Sequence, residues 1–282
     1  MAISINKLEM KDTKKNREWI EKEKKEGKID SEIAELKEKK IEEALNSLYQ
    51  RFIDNPIVKY DEGRIYEEID KKANRSNITI DENSKKELYK QINEEDLIYY
   101  KITEYRKEDK KILFSLWHES FDIDQFREEV IPSYSSLYAS VYVEINGSYA
   151  LLTINGSPVI FGAVRSLIRD FISKDFIVNA VKWDNNALRD IRTEFADRTT
   201  ILGAKGIEGN IKARAISQNL NNTAIDNDLG EGDITLLKFT FKKLYPGNDM
   251  LINGTQGYIT TTLKDDDARN FIKQYLLTYA SN

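Results

Sequence analysis

Seven cations in the second half of the chain are the side chains best suited to binding chemistry. Arg165 and Arg169 are four residues apart and Arg189 and Arg192 are three apart, so each pair lies on one side of a predicted helix. The other three cations are Lys205, Lys212 and Arg214. Arginine and lysine contact phosphate oxygens, which makes all seven candidate contacts to a nucleic-acid backbone. Acidic residues are interleaved with them, so solvated helix faces are the alternative interpretation.

A glycine-rich segment, residues 203–210, follows a predicted strand and precedes two of these cations. Its glycine spacing matches neither the P-loop nor the dinucleotide-binding loop. Amide side chains come next, at Gln218 and Asn219. A basic, amide-rich segment can hold phosphates and can hydrogen-bond base edges. The segment therefore favours nucleic-acid contact and carries no motif of phosphoryl transfer.

A cluster of acids before the next predicted strand offers a second kind of chemistry. Its members are Asp226, Asp228, Glu231 and Asp233. Carboxylates of this kind hold Mg²⁺ in metal-dependent nucleases and phosphodiesterases. The nearest following lysine, Lys238, is five residues from Asp233, which places the two on opposite faces of a strand. A solvated loop is the alternative interpretation, and divalent metal is expected only if the nuclease hypothesis holds.

The single histidine, His118, is the only residue that could act in a histidine-based catalytic triad. Its neighbours Glu119 and Ser120 are adjacent in sequence, so on a strand or helix they point in different directions. A triad needs a nucleophile and a carboxylate that converge on the imidazole. We therefore interpret His118 as a structural or exposed histidine.

Composition excludes several classes of protein. The chain has 282 residues with 43 Lys and Arg against 48 Asp and Glu, a net charge of −5. It therefore has no bulk positive field for nucleic acid or anionic lipid, although a local patch remains compatible with this total. The absence of cysteine excludes disulfides, cysteine-ligated zinc and thiol nucleophiles. No apolar run is long enough to span a bilayer and no signal peptide is visible, so we expect a cytoplasmic protein without a membrane partner.

The charge is unevenly distributed and predicts two domains. Residues 1–130 hold 27 basic and 32 acidic side chains, whereas residues 131–282 hold 16 of each. Dense charge of both signs is typical of solvated helices, and the neutral half has the composition of a packed core. Pro132 and the serines around it mark the boundary. The sequence thus predicts a charged helical region, 1–130, and a sheet domain, 131–282.

Residues 31–54 predict a long amphipathic helix with a single apolar stripe. Such a stripe packs along the chain's own domain or pairs with the same helix of a second copy. The second alternative predicts a homo-oligomer through residues 31–54. Residues 61–117 then predict two short helices and a hairpin with a basic tip, which is the outline of a winged-helix unit. Many other arrangements of short helices and hairpins give the same pattern.

The second half contains two similar units of strand, turn, strand and helix. Asn146-Gly147 and Asn253-Gly254 predict the turns of the two hairpins, the first of type I′. The likeness is compatible with a duplicated unit, although chance use of a common hairpin turn is the better explanation. We expect an α+β protein in which a mixed, mainly antiparallel sheet carries helices on one face.

These patterns predict a non-catalytic binding or regulatory protein that is associated with nucleic acid and self-associates, without a cofactor. Two alternatives stay open: a metal-dependent nuclease or phosphodiesterase, and a structural or assembly component.

Overall fold

A computed structural model describes residues 2–126, 129–207, 211–221 and 232–280 of the chain. These residues form one antiparallel sheet of twelve strands with seven α-helices and a short 3₁₀ helix. The α+β class is therefore confirmed. None of the described helices is long and apolar enough to cross a membrane.

The strands are numbered in chain order. They are β1 Ala2–Met10, β2 Ile57–Lys59, β3 Ile98–Glu108, β4 Lys111–Phe126, β5 Glu129–Asn146, β6 Tyr149–Gly156, β7 Phe176–Ala180, β8 Ala196–Ile207, β9 Ile211–Ile216, β10 Asp233–Phe241, β11 Asp249–Asn253 and β12 Tyr258–Thr261. The helices are α1 Lys14–Lys25, α2 Asp30–Asp54, α3 Glu62–Ser76, α4 Glu82–Glu94, α5 Pro158–Phe171, α6 Asn185–Phe195 and α7 Asp265–Gln274, followed by the 3₁₀ helix Leu276–Thr278.

The first strand of the chain lies in the middle of the sheet, whose order is β2-β3-β4-β5-β6-β1-β12-β11-β10-β8-β9. One edge of β1 pairs with β6 along its whole length, and the other edge pairs first with β12 and then with β7. Ile3 and Ile5 are fully buried, as are the polar residues that follow each of them, Ser4 and Asn6. The expectation of an N-terminal helical region is thus met only in part, since the helices of residues 14–94 follow a central strand.

Strand β1 divides the sheet into two units. We call strands β2–β6 the first unit and strands β8–β12 the second unit. Successive strand residues point to opposite faces. On β1, Leu8 shares a core with α2 and α5, whereas Ile3 and Ile5 share a different core with α6 and α7. We call the sheet face of Ser4, Asn6 and Leu8 the α5 face, and the opposite face the α7 face.

The helices therefore cover opposite faces of the two units. The α5 face of the first unit is covered by α2 and α5, and the α7 face of the second unit by α6 and α7. The prediction of helices on one face is wrong for the sheet as a whole. Hydrophobic periodicity shows which side of a helix is buried, but it does not show against which sheet face. As a result, no described helix packs on the α5 face of the second unit.

The two hairpin–helix units both exist and flank β1, with β5, β6 and α5 on one side and β11, β12 and α7 on the other. Their turns differ. The first turn consists of Gly147 and Ser148, and Gly147 alone has a positive φ, 59°, as in a type II′ turn and not the predicted type I′. The second turn spans four residues, Gly254 to Gly257. Equivalent positions in the sheet are compatible with the duplication hypothesis but do not test it.

The predicted boundary at residue 131 lies inside β5, which pairs with β4 over its full length. The predicted hairpin of residues 97–117 supplies β3 and the first part of β4, so it belongs to the large sheet and does not project as a separate wing. Helices α3 and α4 form a small core with residues Leu97, Phe121 and Ile123 at the far end of these strands.

The apolar stripe of the predicted helix 31–54 is buried within the chain. Helix α2 contributes Ile41, Leu45, Leu48 and Phe52 to the core under the first unit, each at most 2% exposed. A stripe buried against its own sheet is not available to a second copy. The structure therefore supports the packing alternative for this helix and offers nothing for oligomerisation through it.

Candidate nucleic-acid interface

Helix α5 holds the first pair of predicted cations at the boundary between the two units. Ser157 precedes the helix and Pro158 occupies its first turn, where a missing N–H costs no hydrogen bond. Ile160, Val164 and Ile168 are fully buried against the first unit. This packing fixes the rotation of the helix about its axis. Arg165 and Arg169 consequently lie on the flank that faces β1 and the second unit.

The guanidinium of Arg165 is held by two buried polar side chains of β1. Its Nη1 lies 3.3 Å from Ser4 Oγ and 3.4 Å from Asn6 Oδ1. No carboxylate lies within ion-pair distance of Arg165 among the described residues. Charged groups that lose water are normally paired with an opposite charge, because desolvation of an unpaired ion is costly. Arg165 is a half-buried cation with neutral partners only.

The pKa of the Arg165 guanidinium is lowered by burial and, to a smaller extent, by the adjacent positive charge of Arg169. Arginine nevertheless stays protonated in proteins, since its ordinary pKa is above 12. Both causes of the shift act against the charge. An anion placed between the two guanidiniums would offset both the loss of water and the repulsion between the two positive charges.

These arginines line a cleft of about 810 Å³ between α5, β7 and the turn before β12. Lys182 contributes a third cation, and Gln256 contributes an amide. None of the described residues that line the cleft is acidic. The phenol ring of Tyr258 and the side chain of Val159, which is 66% exposed, give the cleft apolar walls. The cleft is therefore positively charged, with apolar surface beside the charge.

The cleft continues onto the α5 face of the second unit. On this face Lys205 lies on β8 and Arg214 on β9, where Arg214 is opposite Gly203. Arg198, at the start of β8, lies on the same face opposite Thr240 of β10. All three cations are exposed. No ion pair of theirs occurs within the described ranges. We call the α5 cleft together with this face the basic strip.

The basic strip is about five strands wide, and one of its positive charges is neutralised near the centre. Five strand-to-strand steps separate β1 from β9, which at about 4.8 Å per step gives roughly 24 Å. Lys238 Nζ lies 3.2 Å from Asp249 Oδ2, so this lysine is paired. Asp249 also accepts a hydrogen bond from Thr240 Oγ1 at 2.7 Å, and Arg198 Nε donates to the same hydroxyl at 3.1 Å. Asp249 thus orders the centre of the strip and removes one charge from it.

The other predicted arginine pair lies elsewhere. Arg189 and Arg192 are on α6, which packs on the α7 face. Arg189 Nη2 donates to the Gly232 carbonyl at 2.9 Å, and Arg192 Nε donates to Thr199 Oγ1 at 2.9 Å. Both side chains therefore connect α6 to neighbouring backbone and strand residues. The structure brings Arg165, Arg169, Lys205 and Arg214 to one face and leaves this pair on the other.

The remaining candidates are only partly described. The backbone of Lys212 pairs with Lys205, but its side chain lies outside the described part of the chain. Asp226, Asp228 and Glu231 also lie outside the described residues. Asp233 is opposite Lys205 at the start of β10. Among the described residues, no group of three His, Asp or Glu side chains is placed to hold a metal ion.

Two cations of the basic strip were missed by the sequence prediction. Arg198 lies near the start of β8, which begins at Ala196. Lys182 follows the short strand β7 and has no periodic pattern around it. Strand alternation alone would place Arg198 on the face opposite Ile201 and Gly203, and only the register shift between Thr199 and Ile201 brings it to the same face. Only the tertiary structure identifies Lys182.

Comparison with protein-family models, with curated protein sequences and with solved structures found no match to this chain.

Proposed function

We propose that the protein binds nucleic acid without catalysis, through the basic strip. The observation that carries this proposal is the half-buried Arg165, which has neutral partners only and lies one helical turn from Arg169. A phosphate between the two guanidiniums would supply the missing negative charge with charge-assisted hydrogen bonds.

The dimensions of the strip suit a nucleic-acid strand. Phosphates of one strand recur about every 3.4 Å along a duplex axis, so roughly 24 Å corresponds to about seven phosphates. The strip offers six cations without a carboxylate partner among the described residues. They are Arg165, Arg169, Lys182, Arg198, Lys205 and Arg214. Several phosphate contacts along one face provide affinity without reading the base sequence.

Half-buried apolar side chains lie between these cations and favour a single strand. Tyr258, Leu251 and Ile201 follow one another across β12, β11 and β8, and each is partly exposed. Unpaired bases have exposed faces that stack on aromatic rings and pack on aliphatic side chains. In a duplex those faces are already stacked on one another. Single-stranded nucleic acid therefore gains more from this surface.

The test is fluorescence anisotropy with a labelled single-stranded oligonucleotide of mixed sequence between 50 and 200 mM salt. We expect affinity to fall linearly on a double-logarithmic plot against salt. Each phosphate contact removed should reduce the slope by about 0.7. The double variants Arg165→Ala/Arg169→Ala and Arg198→Ala/Arg214→Ala should each reduce it by about 1.4.

The matched control is Lys39→Ala/Lys86→Ala, which removes two exposed cations outside the strip. Its slope should equal that of the wild type. Absence of binding at 50 mM salt, a slope of zero, or an equal loss in the control would overturn the proposal. The first two results would favour a structural or assembly role.

A further inference from the structure

A second cationic pocket lies on the other flank of α5. Helix α3 forms one wall, strands β3 and β4 the floor, and Gly162, Ala163 and Ser166 of α5 the opposite wall. Its volume is about 310 Å³, which is at the lower end of pockets that hold small ligands. We call it the α3 pocket. It shares only Val159 with the α5 cleft among the described lining residues.

One stripe of helix α3 supplies the charge of this pocket. Asp61 caps the helix by accepting a hydrogen bond from the Arg64 N–H at 2.8 Å, and this fixes where the helix begins. The charged lining residues then recur at helical spacing: Arg64, Glu68, Lys71, Lys72 and Arg75. Four cations and one carboxylate line the pocket. Glu67 and Asp122 contact these cations from outside it, so a positive excess remains.

Lys72 is the cation that is built most deeply into the pocket. The residue is 9% exposed. Its Nζ lies 3.0 Å from Asp122 Oδ1 and 3.3 Å from Ser120 Oγ. A lysine ammonium is a hydrogen-bond donor only. A charged lysine cannot take a proton from Ser120. The Lys72–Ser120 contact is therefore suited to holding an anion and not to nucleophilic catalysis.

Two donor groups at this site lack partners. Arg64 Nη2 donates to the Tyr99 hydroxyl at 2.7 Å, but its Nε is buried and has no hydrogen-bond partner. Because this Nε is enclosed by the protein, a ligand in the pocket would meet the Nη side of the Arg64 guanidinium. Arg75 is exposed and forms no ion pair within the described ranges. Both donors lie on the stripe that faces the pocket.

His118 supplies an acceptor at the floor of the same pocket. The side chain is 6% exposed, and its Nδ1 contacts the Tyr99 carbonyl oxygen. A carbonyl can only accept, so Nδ1 carries the proton and the neutral ring presents Nε2 as an acceptor. The rings of Tyr60 and Tyr99 pack against the imidazole. The interpretation of His118 as structural accounts for Nδ1 but not for Nε2.

We propose that the α3 pocket binds a phosphate monoester of about mononucleotide size. The phosphate would lie against the Nη side of the Arg64 guanidinium, Lys72 and Arg75, where charged donors surround it. Nε2 of His118 would accept from a hydroxyl of the ligand, and Tyr60 with Leu137 would contact its apolar part. The ester can be a free small molecule or the 5′-phosphate end of a strand, since both present the same group. This proposal does not depend on the basic strip.

Calorimetric titration of the full chain tests it with inorganic phosphate, adenosine 5′-monophosphate and adenosine. We expect the monophosphate to bind, phosphate to compete with it, and adenosine to bind at least about tenfold more weakly, since it loses the charge-assisted hydrogen bonds. A second arm compares a short oligonucleotide with a 5′-phosphate against the same strand with a 5′-hydroxyl. Preference in the first arm identifies a free ester, and preference in the second arm alone identifies a strand end. Equal binding with and without phosphate in both arms overturns the proposal.

The decisive variant is Arg75→Ala, because this exposed side chain has no structural partner and its loss should leave thermal stability unchanged. We expect it to weaken phosphate-dependent binding about tenfold. Arg64→Lys keeps the charge but removes the planar guanidinium that can hold a phosphate through two nitrogens, and it should weaken binding as well. Lys86→Ala, an exposed lysine on α4, is the control and should bind normally. Unchanged affinity in both Arg75→Ala and Arg64→Lys would contradict the proposal.

The two proposals fail separately. Arg165→Ala/Arg169→Ala should lose oligonucleotide affinity and retain the monophosphate. Arg75→Ala should lose affinity for the monophosphate and retain affinity for an oligonucleotide that lacks a 5′-phosphate. If both variants lost both ligands equally, the α3 pocket would not be a separate site.

Discussion

Nη1 of Arg165 on helix α5 lies 3.4 Å from Oδ1 of Asn6 on the first strand of the chain. A neutral amide thus occupies the position at which a carboxylate would form an ion pair. The positive charge of Arg165 stays available to an anion because residue 6 is asparagine. This relationship leads directly to the first prediction.

The substitution Asn6→Asp should reduce affinity for a single-stranded oligonucleotide by about tenfold, because a carboxylate beside the guanidinium replaces the phosphate as its partner. Asn6→Ala removes the amide without adding charge and serves as the control. Anisotropy titrations at one fixed salt concentration compare the two. A loss of the same size in both variants would show that the amide matters for packing only.

The substitution Ile5→Ala should destabilise the chain by about 2–5 kcal/mol, as expected for a large-to-small change in a packed core. Ile5 is fully buried in the centre of the sheet. Ile29→Ala is the matched control, because Ile29 is 64% exposed and its loss should cost less than about 0.5 kcal/mol. Urea unfolding monitored by circular dichroism measures both. Equal free energies of unfolding would contradict the central position of β1.

The pair Gly254→Ala and Gly162→Ala should shift the midpoint of thermal unfolding in opposite directions. A Cβ on Gly254 would lie 2.2 Å from the backbone oxygen of Trp183, so the β11–β12 turn would have to move. A Cβ on Gly162 would meet nothing within 4 Å inside helix α5, where alanine is favoured over glycine by about 0.5–1 kcal/mol. Scanning calorimetry checks both signs. A stable Gly254→Ala protein would mean that the turn does not approach Trp183.

The free energy of unfolding should decrease as the pH falls below about 6.5 because of His118. Burial lowers the pKa of this imidazole in the folded chain, against the opposing hydrogen bond to the Tyr99 carbonyl. Arg64 and Lys72 disfavour its protonation, whereas Glu68 favours it. The unfolded chain therefore binds the proton first, and stability is lost between pH 6.5 and the lower folded pKa.

His118→Asn should remove this dependence, since an asparagine amide can still donate to the Tyr99 carbonyl but does not titrate. Carboxylates titrate equally in both proteins, so the difference between the two curves isolates the histidine. Urea unfolding at intervals from pH 5 to pH 8 measures it. Parallel curves would show that the pKa of His118 is the same in the folded and unfolded chains.

Local patterns in the sequence predicted the elements well where side-chain periodicity was strong. The apolar face of α5 and the amphipathic stripe of α2 both correspond to observed helices and to buried residues. Strand β1 was missed because two of its five buried residues are polar: Ser4 and Asn6 lie under Arg165 and interrupt the apolar pattern. The same two polar residues contact Arg165 and obscure the strand in the sequence.

The assembly of the candidate site could not be predicted in the same way. Arg165 and Arg214 are brought to one face by five strands that pair in an order different from the chain order. Arg189 lies between them in sequence but on the opposite face, because α6 crosses to the other side of the sheet. The α3 pocket was not predicted at all, since Arg64, His118 and Ser166 come from three separate parts of the chain.

The hydroxyl of Ser4 donates to the carbonyl of Gly257, a residue 253 positions further along the chain. Contacts over such separations delay folding, because the entropy of closing a very long loop must be lost before they form. We therefore expect the pairing of β1 with the second unit to form late in folding. Until then the edge of β12 is open, and such an intermediate would be prone to intermolecular strand pairing.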